Sequence, residues 1–224
     1  MIEISVKEAL KELEHAKQQL GERNFNKAVS RAINESILKG RTEARRAVKA
    51  VYNIPQRYLG GINISRANSL NLYATLFASA TPIPMDAFSP KYQTASMGLS
   101  ISRKGIQKQK SFKKAKKNPV AGVSIEVIKG SRETIPYAFL LAGAQSRVFA
   151  RGEYKGGGSY GFIQRHTRLT NDSGNDSVKP LLSVTVHAAV INKTAIDKIA
   201  AEVNNTFPES IKRNVGLLLS QNGA

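Results

Sequence analysis

Between Phe25 and Val51 the apolar residues recur at intervals of three and four: Phe25, Ala28, Val29, Ala32, Ile33, Ile37, Gly40, Ala44, Ala47, Val48 and Val51. That period fits one face of an α-helix and cannot sit on a strand, whose side chains alternate. Such a stripe is the buried face of one helix. Asn53-Ile54-Pro55 ends the helix, since proline lacks the donor and restricts the residue before it. Asn24 is its candidate N-cap. Residues 4–20 read as a preceding helix with Gly21 as its stop. Gly40 lies mid-helix, where it costs about 1 kcal/mol relative to alanine; close approach of another element and a simple kink both account for it. The opposite face carries Arg31, Lys39, Arg41, Arg45, Arg46 and Lys49, more basic than an ordinary solvated face.

The middle of the chain reads as strands. Leu70, Leu72, Ala74, Leu76 and Ala78 alternate with Asn71, Tyr73, Thr75, Phe77 and Ser79, a period of two that Thr81-Pro82-Ile83-Pro84 breaks. Further strands are expected at Met97–Ser102, Val120–Lys129, Tyr137–Ala142, Ser146–Arg151 and Leu181–Val186. Gly152–Gly161 reads as a flexible Gly-rich turn and Asn171–Ser177 as an irregular loop. A closing helix, with Thr194 as candidate cap, buries Ile196, Ile199, Ala200, Val203, Phe207, Ile211, Val215, Leu218 and Leu219. Pro208 is expected to kink or split it. Helices, then strands, then a helix give an α+β fold, with N-terminal helices and a C-terminal helix packed on a mainly antiparallel sheet. As one domain it divides into helices at 1–55, a sheet at 62–187 and a C-terminal helix at 188–224.

Charge is concentrated rather than spread. Residues 44–125 hold 14 basic side chains and one acid, Asp86, so +13 of the chain's +18 falls there. The peak is Arg103, Lys104, Lys108, Lys110, Lys113, Lys114, Lys116 and Lys117, with no acid among them. Such a run repels itself and is expected as a long hairpin loop, 103–119, between two strands. A polyanion condensing on it would release counterions and make affinity steeply salt-dependent. Only Phe112 is interleaved, so stacking on bases is not indicated and contact should be to phosphates, without sequence preference. The plainer reading is a solvated loop that adds solubility.

Signs of catalysis are sparse. Cysteine is absent, which excludes disulfides, thiolate chemistry and Cys-ligated metals. His15 reads as a surface residue and His187 as structural, while His166 lacks surrounding carboxylates. Gly156-Gly157-Gly158-Ser159 lacks the Lys-Ser/Thr ending of a phosphate loop, and Asp172, Asn175 and Asp176 lack the terminal Glu of a calcium loop. No enzymatic activity, cofactor or metal is expected. The charged N-terminus lacks the apolar core of a signal peptide, and the uncharged window Ala67–Met85 is too polar and Pro-interrupted to span a bilayer. A soluble protein made in a reducing cytoplasm, with no membrane partner, is the expectation.

Several short motifs follow one another in order: Ala32-Ile33-Asn34 and Tyr52-Asn53-Ile54-Pro55, Ala80-Thr81-Pro82-Ile83-Pro84, the basic run, then Ile135-Pro136-Tyr137-Ala138-Phe139. Arg147-Val148-Phe149-Ala150-Arg151, Lys179-Pro180-Leu181 and Phe207-Pro208 complete the series. In this order the chain resembles the minor tail protein Z family of lambda-like phages, departing from it over residues 152–178. The resemblance implies a non-enzymatic virion tail protein assembled in the host cytoplasm. It would complete the tail at its head-proximal end, join head to tail and position the DNA end. Its implied partners are other tail and neck proteins and the phage DNA end, met through phosphates; the family's basic insertion falls where Arg103–Lys117 falls. A homo-oligomeric ring is expected from tail symmetry, since head-to-tail interfaces that close give rings. The rival expectation is a free-standing, sequence-nonspecific nucleic-acid-binding protein.

Overall fold

Glu22–Val51 forms the long helix that the apolar spacing requires, here α2. In the computed structural model, which describes residues 14–93, 99–101, 107–109, 122–141, 147–155, 161–164 and 178–222, the protein is α+β. It divides into two compact units, residues 1–81 with 185–224, and residues 82–184.

In the first unit a short helix α1 (Glu14–Leu20) precedes α2; the start of the expected first helix lies outside the described residues. The chain turns at Gly21, so α2 begins two residues before Asn24, which sits inside it rather than capping it. Tyr52 ends α2, ahead of Pro55, as the proline requires. A single turn α3 (Gln56–Leu59) leads to an antiparallel ribbon of β1 (Ile62–Ser65) and β2 (Thr75–Ala78), in register Ile62 to Ala78. The expected strand 70–79 is therefore shorter. The Asn68 side chain accepts from the Leu70 and Asn71 amides at 2.9 and 2.8 Å, and that local turn competes with strand pairing. The alternation holds over residues 73–78, where Ala74, Leu76 and Ala78 are half-buried and Tyr73, Thr75 and Phe77 exposed, and Thr75–Ala78 pair as the strand.

α4 (Val186–Val190) is capped by Thr185, whose hydroxyl accepts from the Ala188 amide at 2.9 Å. α5 (Lys193–Asn222) follows. Its cap is Asn192, not Thr194: the Asn192 side chain accepts the Thr194 amide at 3.1 Å. Pro208 does not split α5, which is one helix throughout. The carbonyl that Pro208 leaves without its helical donor belongs to Asn204, an exposed residue where water can replace the bond.

α2 and α5 are each other's main partners. Gly40 faces Val203 and Ile199, while Glu35 meets Arg213 and Asn214, so the two helices run antiparallel. Phe25, Ala28, Val29, Ala32 and Ile33 pack with Phe207, Ile211 and Val215, and Leu20 and Ala67 close the ends of this core. Each fully buried large apolar side chain there contributes roughly 1.5–3 kcal/mol. Asn34 fixes the segment after β1 to α2. Its Nδ2 donates to the Ala67 carbonyl and its Oδ1 accepts the Ala67 amide, both at 2.9 Å.

The second unit is built from small antiparallel sheets. β3 (Pro82–Pro84) pairs with β13 (Leu182–Thr185), and the 3-10 turn Met85–Phe88 buries Phe88 completely. β4 (Lys91–Gln93), β7 (Gly122–Ile128) and β8 (Ser131–Ile135) form one sheet. β10 (Arg147–Tyr154) is the hub of another, pairing with β9 (Ala138–Leu141), β11 (Phe162–Gln164) and β12 (Val178–Pro180). Gly152, read from sequence as the start of a flexible turn, lies inside β10 opposite Gln164. Its φ of 151° and an ideal Cβ only 2.2 Å from the Ile163 carbonyl oxygen admit no side chain there. Arg132 ties this region together, donating to the Ser89 and Ser124 carbonyls and to Ser124 Oγ at 3.2–3.3 Å.

Tyr154 clasps β12 to β13. Its hydroxyl donates to the Pro180 carbonyl at 2.8 Å and accepts the Leu182 amide at 2.9 Å. Burial pushes its pKa up; the Leu182 amide opposes this and Tyr137 adds to it. A folded pKa raised above the unfolded value means stability that is full below about pH 10 and is lost as pH climbs through the folded value. Parent protein is therefore expected to hold its stability up to about pH 10 and weaken above it. Tyr154→Phe should be weaker at neutral pH by about 0.5–1.5 kcal/mol per lost bond, with a shallower alkaline decline. Denaturant titrations at paired pH values check this, and identical alkaline slopes would refute it.

Candidate nucleic-acid interface

Sequence places eight cations between Arg103 and Lys117. β5 (Leu99–Ile101) does not pair with the strand that follows the basic run. It pairs with β6 (Gln107–Gln109), a short strand inside the run, in register Leu99 to Gln109, Ser100 to Lys108 and Ile101 to Gln107. β7 pairs instead with β4 and β8. The expected single loop 103–119 is thus interrupted by a strand, with Lys108 in β6. Arg103, Lys104, Lys110, Lys113, Lys114, Lys116 and Lys117 lie outside the described residues, as do His166, Asp172, Asn175 and Asp176.

The basic face of α2 is fully described. Arg31, Lys39, Arg46 and Lys49 are exposed, and Arg41 and Arg45 half-buried. Arg46 pairs with Glu43 at 2.9 Å. Arg45 donates to the Ile62 carbonyl at 3.4 Å, holding β1 against the helix, and the Nε atoms of Arg41 and Arg45 are buried without a hydrogen bond. Sequence reading stopped this face at Arg31, but it continues through exposed Arg23 and Lys27. The signal lay in recurrence: Arg23 and Arg41, Lys27 and Arg45, and Arg31 and Lys49 are each 18 residues apart, or five turns at about 3.6 residues per turn. Every cation in this series has another one turn away, and each such like-charge pair costs about 0.2–0.5 kcal/mol. An acid, Glu35, stands one turn beyond Arg31. Glu35 lies towards α5, where Arg213 and Asn214 hold its carboxylate.

His187 is exposed in α4, not at a strand end. Among the described residues no cluster of three or more His, Asp or Glu could hold a metal ion, and no described helix is long and apolar enough to cross a membrane. A shallow depression formed by Ala47, Val51, Tyr52, Ala189 and Ala195, rimmed by Asn192, Thr194 and Lys198, contains neither acid nor histidine.

The described residues define an α+β protein with a basic face on α2. Comparison with protein-family models, curated proteins and solved structures finds no match to the chain.

Proposed function

We propose that this chain is a non-enzymatic structural protein of a phage or prophage tail. It completes the tail at the head-proximal end and positions the DNA end through its basic segment. The ordered succession of short motifs from Ala32 to Pro208, with the basic run between them, carries this reading. The sites those motifs occupy support it. Asn34 anchors Ala67, Pro82–Pro84 forms β3, Phe149 and Ala150 of β10 pair with Pro180 and Lys179 of β12, and Phe207 lies in the helical core. Residues held for these reasons give the molecule its shape, which is what an assembly component needs.

The deciding experiment is negative-stain electron microscopy of particles assembled with and without this protein, each tested for infectivity. Normal-looking tails that fail to join heads productively support the reading, and unaffected particles refute it. Unaffected particles together with tight DNA binding by the isolated monomer would favour the free-standing nucleic-acid-binding protein. The DNA contact has its own check. Replacing Lys113, Lys114, Lys116 and Lys117 by Gln should flatten the dependence of log K on log[salt] by about 0.9 per lost phosphate contact.

A further inference from the structure

We infer that the outer face of α2 around Arg23, Lys27 and Arg31 is a second binding surface for the phosphate backbone of duplex nucleic acid. It lies in the helical unit and is independent of the tail reading. All three side chains are exposed and none makes an ion pair among the described residues. They stand one turn apart, so the row spans about 12 Å of straight helix with a cation roughly every 6 Å. The row carries no acid and no large apolar side chain. That composition selects the partner. Protein interfaces are centred on buried aromatic, Met and Arg anchors, and this exposed row supplies no apolar residue to form such a centre. A polyanion needs no such anchor, only a regular line of positive charge, and its binding releases counterions. A phosphate backbone also relieves the repulsion that the helix bears along this row.

The surface ends where the structure closes it. One repeat further along, Arg41 and Arg45 occupy the same helical sector but are half-buried, and Arg45 is engaged by the Ile62 carbonyl. The continuous free part of the row is therefore its N-terminal third, Arg23 to Arg31, with exposed Lys49 set apart beyond the half-buried pair. Arginine and lysine there contact phosphate oxygens without reading bases, so binding carries no sequence preference.

The test measures binding of a short labelled DNA duplex of random sequence to the full chain at several salt concentrations. Arg23→Gln, Lys27→Gln and Arg31→Gln are combined, since glutamine keeps good helix propensity at exposed positions. With helical circular dichroism unchanged, the triple variant should flatten the salt slope by about 0.9 for each lost contact. A slope equal to that of the parent overturns the inference. Replacement of the four lysines between Lys113 and Lys117 by Gln is run beside it. Slope lost only in that variant overturns the α2 surface and leaves the basic-run reading standing. Slope lost only in the α2 variant upholds the surface and removes the basic run from DNA contact. Poly-glutamate of equal charge serves as competitor. Displacement of DNA as effective as that by unlabelled duplex means that the row takes acidic protein, and overturns the inference; weak displacement upholds it.

Discussion

Phe207→Ala is expected to destabilise the helical unit by about 3–5 kcal/mol. Phe207 is among the largest fully enclosed side chains of the protein and is only 2% exposed, packed where α5 meets Phe25, Ala28 and Ile33 of α2. Truncation removes its transfer energy and leaves a cavity between two rigid helices that cannot close over it. Natural domains have only about 5–15 kcal/mol in total, so much of the margin would go. Urea unfolding followed by helical circular dichroism measures it, with an unchanged m-value showing that the unfolding unit is the same. A loss below about 1 kcal/mol would mean that the pairing of α2 with α5 is not as described.

The second large effect is expected at Gly40. A Cβ there would lie 2.7 Å from Val203 Cγ2 and 3.6 Å from Ile199 Cγ2. Valine has little freedom at χ1 in a helix, so the methyl cannot swing aside. Two effects compete in Gly40→Ala. Helix propensity favours the substitution by about 1 kcal/mol, while overpacking costs about 1–3 kcal/mol. The alanine variant should therefore be neutral to destabilising, and Gly40→Leu destabilising by about 2–3 kcal/mol or more. Shortening the neighbour should reverse the sign: in a Val203→Ala background, Gly40→Ala should gain stability. The coupling between the two sites is expected within about 0.5–3 kcal/mol. Additive behaviour, or a plain gain from Gly40→Ala in the parent, would show that the helices do not approach closely at this point.

Gly40 also shows how far the sequence could be read. Its position inside a sustained 3.6-residue pattern was visible, and both close approach and a kink accounted for it. Choosing between them required the partner helix, which lies about 160 residues further along the chain. The apolar face of α2 and its end before Pro55 were legible because local sterics and periodicity decide them. The buried stripe of α5 was legible too, apart from the effect of Pro208, since only the structure shows that Asn204, four residues before it, is exposed. Strand pairing was largely hidden. β1, Ile-Asn-Ile-Ser, alternates but is only four residues long, and β8 is mostly polar. The reach of β2 depended on the Asn68 turn, whose side-chain bonds no alternation rule includes. Of the candidate interface, composition revealed the basic run but not the strand that interrupts it. The row at Arg23 and Lys27 was hidden because these two cations stand apart from the dense cluster at 39–49 and join its sector only through an 18-residue spacing.

The division of the chain also sets the order in which the protein can be completed during synthesis. The helical unit is assembled from both ends of the sequence, with residues 82–184 inserted between its halves. α2 therefore leaves the ribosome long before the helix that covers it. About 140 residues separate the end of α2 from the start of α5, which at about 5–20 residues per second means roughly 7–28 seconds of waiting. During that interval the inserted unit can fold by itself, while the apolar stripe of α2 stays open to chaperones or to the same stripe on a neighbouring nascent chain.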